Sequence, residues 1–515
     1  MDYRKEYEKW LASPALSEDE RAELRALEGN DKEIKARFYG PLEFGTAGLR
    51  GTMYTGLHNM NRHVIRWATQ GFANVIRAEG EEAMKKGVAI CMDCRNHSME
   101  FARAAACVMA GNGITVKLFE SLRPTPELSF AVREYGCEAG INVTASHNPK
   151  EYNGYKAYWT DGSQVTAPHD RNIIAEVEKI TSIDQILTGA NPGNITLLGE
   201  EFDEIYLNKV HTLSLSPESV GKFHDMKIAY TPLHGAGVRL VPASLRKWGF
   251  TNVSLVEEQA VIDGNFPTVE SPNPEERKTM AKAIELGSRL GADLVLATDP
   301  DSDRIGVALR NAKGEYVLLN GNQTLSLIMA YQLTRWSELG RLDGKEFVVK
   351  TIVTSQMPNV MAAHFGVKCY DCLTGFKYIA RIIRNNEGKA TYIGGGEESF
   401  GYLAGDFVRD KDAVSACSLV AEAAAWTRDT MGLTLYEWLQ KLYVEFGFFR
   451  EGLVSVVRKG MEGAAEIQQM MVDYRADPPR EIAGSPVVKI NDFKLLESTD
   501  VRTGAKTPIE EEASN

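Results

Sequence analysis

Residues 292–304 read ADLVLATDPDSDR, an apolar run that stops at three aspartates in alternate positions, Asp299, Asp301 and Asp303. Asp293–Ala297 has the length and content of a buried strand, and the aspartates fall in the polar loop at its carboxyl end. The same arrangement occurs twice more. Strand Gly140–Val143 runs into ASHNP (145–149), and strand Ala390–Ile393 runs into GGGEESFGY (394–402). Before each loop the order is strand, loop, helix, strand. The first unit has strands Val88–Met92 and Ile114–Phe119 with helices Met99–Ala110 and Pro126–Tyr135. The second has strand Asn252–Val256 and helix Pro274–Leu290, and the third has strand Val367–Tyr370 and helix Tyr378–Asn385. Short apolar strands alternating with amphipathic helices make this an α/β protein with mixed or largely parallel sheets. Three diverged copies of one α/β domain are the economical explanation.

At 515 residues the chain exceeds one compact core. The boundaries fall near residues 205, 322 and 445, giving domain 1 over 1–205, domain 2 over 206–321, domain 3 over 322–445 and a partial domain 4 over 446–515. The opening 30 residues read as charged helix. After 445, FFREGLVSVV and SPVVKIND read as β-rich pieces separated by an amphipathic helix, Ala464–Tyr474. A net charge of −12 argues against nucleic-acid binding. The N-terminus lacks an apolar signal core, and no apolar run is long enough to span a membrane. Seven cysteines in so long a chain fit reduced thiols in the cytoplasm. The pairs Cys91/Cys94 and Cys369/Cys372 have zinc-ligand spacing but lie in separate domains, so ordinary core cysteines are the better reading.

Three aspartates that alternate in extended backbone point to one side, and their like charges repel unless a cation neutralises them. Hard oxygen donors select Mg²⁺ or Ca²⁺. The glycine and bidentate glutamate of a calcium-binding EF-hand fall here on Arg304 and Arg310, which leaves Mg²⁺. Ser146 is outside any G-x-S-x-G elbow, so a hydrolase reading lacks its motif. His147, its neighbour, points to the opposite face in extended backbone and is a poor partner for a Ser–His dyad. A serine opposite a metal site is better read as a phosphoryl carrier. Arg50 (in GTAGLRG), Lys156, Arg304, Lys377 (in LTGFK) and Lys411 (in RDKD) are the cations near these loops; singly each reads as a surface cation, and several converging on one cleft would form a phosphate site. Glu397 and Ser399 alternate in GEESFG; a carboxylate with a hydroxyl is a common grip on vicinal sugar hydroxyls, and an ordinary Gly-rich turn is the alternative reading. Neither a phosphate-binding P-loop nor a dinucleotide fingerprint is present, which argues against a kinase or dehydrogenase.

TASHNP, DPDSDR and GEESFGY, in this order and spacing, resemble the α-D-phosphohexomutase superfamily, nearest its glucose-type phosphoglucomutase and phosphopentomutase branch. The resemblance runs from GTAGLRG to the β-rich C-terminal region. It implies four domains around a central cleft and a phosphoserine at Ser146. Mg²⁺ would be held by Asp299, Asp301, Asp303 and the seryl phosphate. It further implies sugar contacts from Glu397 and Ser399, phosphoryl-transfer roles for Arg50 and Lys156, a glucose-orienting loop at Thr374, Gly375 and Lys377, and a basic group at Lys411. His147 and Arg304 would serve the phosphate site.

The implied reaction interconverts glucose 1-phosphate and glucose 6-phosphate through glucose 1,6-bisphosphate, which is both intermediate and activator. Phosphopentomutase, phosphomannomutase and sugar-bisphosphate synthase are the alternatives within the class. The family's RPSGTEP-type phosphate loop is not found before the last residues, EEEASN, so a truncated fourth domain is expected. An inactive sugar-phosphate-binding protein is the alternative of another class. The expected partners are a phosphosugar and at most a second copy, as monomer or dimer.

Overall fold

The computed structural model describes residues 2–42, 48–189, 192–452, 456, 458 and 460–509. Three sheets carry the repeated units. The first contains β1 (Leu49–Thr52), β2 (Val88–Met92), β3 (Val116–Phe119), β4 (Ala139–Val143), β5 (Tyr152–Trp159) and β6 (Ile195–Leu198) in the order β1-β5-β4-β2-β3-β6. The second contains β7 (Ile228–Thr231), β8 (Val253–Leu255), β9 (Leu294–Thr298), β10 (Ile305–Arg310) and β11 (Tyr316–Leu318), ordered β11-β10-β9-β7-β8. The third contains β12 (Glu346–Thr351), β13 (Lys368–Cys372), β14 (Thr391–Glu397) and β15 (Gly401–Ala404), ordered β13-β12-β14-β15.

One plan runs through all three. A first strand (β2, β7, β12) lies parallel between a second (β3, β8, β13) and a third (β4, β9, β14). A fourth strand (β5, β10, β15) folds back antiparallel on the third. The three polar segments read from the sequence all lie where the third strand joins the fourth, although the third is mostly strand: β14 runs on through Glu397 and β15 starts at Gly401, which leaves 398–400 as the connection. The expected threefold repeat is therefore present strand for strand. β2, β4 and β9 are buried along their whole length, as strands covered on both faces must be, and this is why they read as unbroken apolar runs.

The N-terminal expectation needs correction. The opening charged stretch is two helices, Tyr3–Ala12 and Glu18–Arg25, followed by a third at Asp31–Phe38. Pro14 cannot continue a helix, and Ser17 starts the next one with a full capping box to Glu20. These helices bury Trp10, Leu24 and Phe38 against the first unit. The helix expected from Pro274 begins only at Ala281, because residues 274–280 form turns. The C-terminal helix is longer than expected, Gly460–Ala476. SPVVKIND supplies parts of two small sheets, through Ser485–Pro486 and Lys489–Asp492. In FFREGLVSVV, residues 448–452 have no regular structure, and 453–455 and 457 lie outside the described residues, as do 45–47 of GTAGLRG and EEEASN.

The middle loop is tied to both neighbouring units. On one side Thr125 N–H donates to Asp301 O at 2.8 Å. On the other, Ile305 N–H donates to Phe400 O at 3.0 Å and Ala413 N–H to Ser302 O at 3.2 Å. Within the flanking units two glycines permit close packing. A Cβ on Gly401 would stand 2.1 Å from Lys411 Cδ, and one on Gly154 would stand 2.4 Å from Thr144 O and 2.9 Å from Leu49 O. At Gly154 both obstacles are backbone, so relief requires β4 or β1 to move. Gly154→Ala is therefore expected to cost about 1–3 kcal/mol, the range for overpacking a filled interior. Gly221→Ala, at a helical position with nothing within 4 Å, should be neutral or stabilising. Thermal denaturation of the two variants beside the parent chain checks this pair.

Candidate active site

Ser146 leaves the end of β4 with φ +52°, a left-handed conformation that costs a non-glycine residue about 1–3 kcal/mol. Local hydrogen bonds hold it there. Its N–H donates to Thr144 Oγ1 at 2.8 Å, and Thr144 in turn donates to the buried Asp93 at 2.6 Å. The buried Arg95 guanidinium, paired with Asp93 at 3.3 Å, donates to the carbonyls of Ser146 (2.6 Å), Pro149 (2.8 Å) and Tyr152 (3.0 Å), and also to Asn148 O. The turn aims Ser146 Oγ at Asp299, to which it donates at 2.9 Å.

The same turn overturns an expectation. His147 Nδ1 lies 3.2 Å from Ser146 Oγ, although the two side chains were expected on opposite faces. That expectation assumed extended backbone, and a residue at positive φ breaks the alternation. Burial, with the Arg304 charge adding to it, pushes the imidazole down to about 3. His147 is therefore neutral at working pH.

Asp299, Asp301 and Asp303 each offer an oxygen within 4.8 Å of the others, and all three are buried. They converge through a turn with Ser302 at φ +55°, and the extended alternation assumed from the sequence is absent. Burial pushes Asp299 well up, with the neighbouring aspartates adding to it, and pushes Asp303 up as well. Burial also opposes the charge on Asp301, but Lys156 Nζ at 3.0 Å outweighs it and holds that carboxyl below the usual range.

Lys156 comes from the first unit and Lys411 from the third. Lys411 Nζ lies 3.1 Å from Asp303 Oδ2 and 3.2 Å from Asp410 Oδ1. Burial would lower its pKa, yet Asp303, Asp410 and Glu397 together raise it, so the ammonium stays charged. Asp301 Oδ1 and Asp303 Oδ1 are buried without a hydrogen-bond partner among the described residues. Two orphaned carboxylate oxygens beside Asp299 form a hard-oxygen donor set, which fits Mg²⁺.

The third loop meets this cluster from the far side. Glu397 is buried and accepts from Gly375 N–H at 2.9 Å, which joins GEESFG to LTGFK. Ser399 and Lys377 are half-buried, and Thr374 is exposed. Lys377 Nζ sits 5.2 Å from the Tyr378 ring centroid. Arg304 forms an ion pair with Glu275 at 2.7 Å, and its N–H donates to Asp299 at 3.0 Å. Arg50 stands exposed on β1, opposite Gly154 of β5. Ser146, His147, the aspartates, Lys156, Arg304 and Lys411 thus form one cluster. Glu397 and Gly375 border it, and Arg50 is near enough for its charge to act on Asp301, Asp303 and His147.

Sequence reasoning missed Asp93, Arg95, Thr125 and Asp410. The first two follow β2 in DCRNHS and Thr125 follows β3 in RPTPE, so each sits at the carboxyl end of a strand where ligands gather. That position was the available signal.

Profiles of the phosphoglucomutase/phosphomannomutase alpha/beta/alpha domains I, II and III match residues 41–184, 204–314 and 320–446. The chain belongs to this family. It is 35% identical over 490 residues to a phosphoglucomutase of Staphylococcus aureus strain N315, an alignment that covers 94% of this chain and 86% of that protein. A solved putative phosphomannomutase from Thermus thermophilus is 25% identical with TM-score 0.66, covering 79% of this chain and 84% of that one. The open form of pp63/parafusin from Paramecium shares the fold at 17% identity and TM-score 0.63, covering 91% and 85%. The chain is an enzyme of the phosphohexomutase class, an intramolecular phosphotransferase. No helix among the described residues is long and apolar enough to cross a membrane. The seven cysteines are free thiols, Cys91 and Cys372 among the buried ones, so neither C-x-x-C pair forms a disulfide.

A cation that binds the folded triad must stabilise the fold by mass action. Millimolar MgCl₂ is expected to raise the melting temperature of the parent chain. In Asp303→Asn that increment should shrink sharply.

Proposed function

We propose that this chain is a phosphoglucomutase that interconverts glucose 1-phosphate and glucose 6-phosphate. Phosphorylated Ser146 and enzyme-bound glucose 1,6-bisphosphate would be its intermediates. The observation that carries the reading is the 2.9 Å contact of Ser146 Oγ with Asp299, inside a buried oxygen cluster flanked by two lysines. The relationship to the Staphylococcus aureus phosphoglucomutase supports the choice of sugar.

In this reading Asp299, Asp301 and Asp303 hold Mg²⁺, with a phosphoryl oxygen of the modified serine as a further ligand. The ion would offset negative charge on the phosphoryl group as it moves. The remaining work falls to the chain's own groups. The phosphoryl group leaves Ser146 Oγ for a sugar hydroxyl, and the proton of that hydroxyl ends on Ser146 Oγ. Neutral His147, with Nδ1 at 3.2 Å, and Asp299 are within reach of that oxygen.

Lys411, kept charged by its acidic neighbours, stands beside the transfer path with Lys156, and the two stabilise charge that grows on the phosphoryl oxygens. Arg304 and Arg50 extend the cationic rim for the phosphate that is not being transferred. Glu397 and Ser399 grip the sugar hydroxyls, and Thr374, Gly375 and Lys377 orient the ring. Reversal of the bound bisphosphate then presents the other phosphate to Ser146. The free thiols favour a cytoplasmic setting for this chemistry.

The reading is tested by coupled assays on glucose, mannose and ribose 1-phosphates with Mg²⁺ and the bisphosphate activator. Glucose 1-phosphate should give the highest kcat/KM. Glu397→Gln should lower kcat/KM by roughly tenfold to a hundredfold, since it weakens charge-assisted hydrogen bonds of about 1.5–3 kcal/mol. Faster turnover of the ribose or mannose phosphate would replace glucose as the substrate.

A further inference from the structure

We infer that Thr125 is a positioning residue that fixes which oxygen of Asp301 faces the metal. This rests on the reading above that the aspartates hold Mg²⁺. Thr125 is fully buried and opens the helix Thr125–Glu134, after β3, in a loop outside the three that carry the recognised motifs. It meets Asp301 twice. Its N–H donates to Asp301 O at 2.8 Å, and its hydroxyl donates to Asp301 Oδ2 at 2.9 Å.

The direction of the hydroxyl hydrogen is set from the other side. Asn142 Nδ2, on β4, donates to Thr125 Oγ1 at 2.7 Å. An amide NH₂ cannot accept, so the threonine hydrogen is left to Asp301. Lys156 Nζ adds a second donor to the same Oδ2 at 3.0 Å. With Oδ2 bearing both donors, Oδ1 is the atom left buried without a partner among the described residues.

The other two aspartates are fixed on the same plan by different donors. Asp299 Oδ1 accepts the N–H groups of Asp303 (3.1 Å) and Arg304 (3.0 Å), while Asp303 Oδ2 takes Lys411 at 3.1 Å. Asp301 and Asp303 are thus each held by one oxygen and leave the other unpartnered among the described residues, while Asp299 Oδ2 accepts the Ser146 hydroxyl. At Asp301 a neutral hydroxyl from the first unit does part of the holding, so seating of the metal depends on how the first unit docks against the second.

The test titrates Mn²⁺, as the metal probe, into the parent chain, Thr125→Val, Thr125→Ser and Asp301→Asn, reading free Mn²⁺ by electron paramagnetic resonance. Metal-free melting curves are recorded in parallel. Valine keeps the shape and the backbone N–H but removes the hydroxyl. Thr125→Val should weaken Mn²⁺ binding about tenfold, equivalent to about 1.4 kcal/mol, and Thr125→Ser should stay close to the parent. If Thr125→Val does not accumulate folded, Thr125→Ala carries the same comparison. Parent-like Mn²⁺ affinity in the hydroxyl-free variant, with only a lowered melting temperature, would overturn the inference and leave Thr125 a packing residue. Parent-like binding by Asp301→Asn would instead overturn the underlying metal reading, so the two failures are distinguishable.

Discussion

Three carboxylates confined within 4.8 Å of one another, with no side chain open to water, are the constraint on which the rest of the molecule depends. Unpaired, such a cluster would carry a burial cost of several kcal/mol per ion. Part of the offset is local, from the Asp303 and Arg304 N–H groups on Asp299, and part comes from outside the unit that bears the aspartates. Lys156 and Thr125 reach in from the first unit and Lys411 from the third. The three sheets cannot separate without exposing or unpairing these groups, so the electrostatics of one turn help set how the units pack. The extended apolar core that runs from the first unit into the second and third provides the bulk of the adhesion. The charges set its register.

A second regularity runs through the repeats. In each unit the connection from third to fourth strand contains a non-glycine residue at positive φ: Ser146 (52°), Ser302 (55°) and Phe400 (66°). Backbone of this kind persists only where the surroundings over-determine it. Arg95 does so for the first loop, with its two terminal amino groups donating to the carbonyls of Ser146, Asn148, Pro149 and Tyr152. Docking of Ala413 N–H on Ser302 O and of Ile305 N–H on Phe400 O does so for the other two. Repetition of one strained turn gives three loops aimed at a common point, each carrying different chemistry: a hydroxyl, an acidic cluster, and a carboxylate with a hydroxyl.

Much of this was legible in the sequence, for a physical reason. Strands covered on both faces must be apolar throughout, so β2, β4 and β9 stand out, and the polar loops that end such strands stand out with them. The threefold repeat and the convergence of Ser146, Asp299, Asp301 and Asp303 followed from that contrast. What the sequence hid depends on single torsions and on partners distant in the chain. The left-handed turn at Ser146 brings His147 beside it, which alternation forbade. Asp93, Arg95 and Thr125 act through hydrogen bonds to backbone or to another unit, and no local periodicity marks such residues. Pro14 and the Ser17 capping box, which break the first helix, were readable and were passed over in favour of the charge pattern.

The account stands or falls on Ser146 as a phosphoryl carrier. Intact-mass spectrometry of the protein after incubation with glucose 1,6-bisphosphate and Mg²⁺ addresses it directly. The prediction is one covalently bound phosphate per chain, mapped to Ser146, absent from Ser146→Ala, and lost when glucose 1-phosphate is added. A chain that takes up no phosphate under these conditions, or that carries it equally in Ser146→Ala, would contradict the central claim.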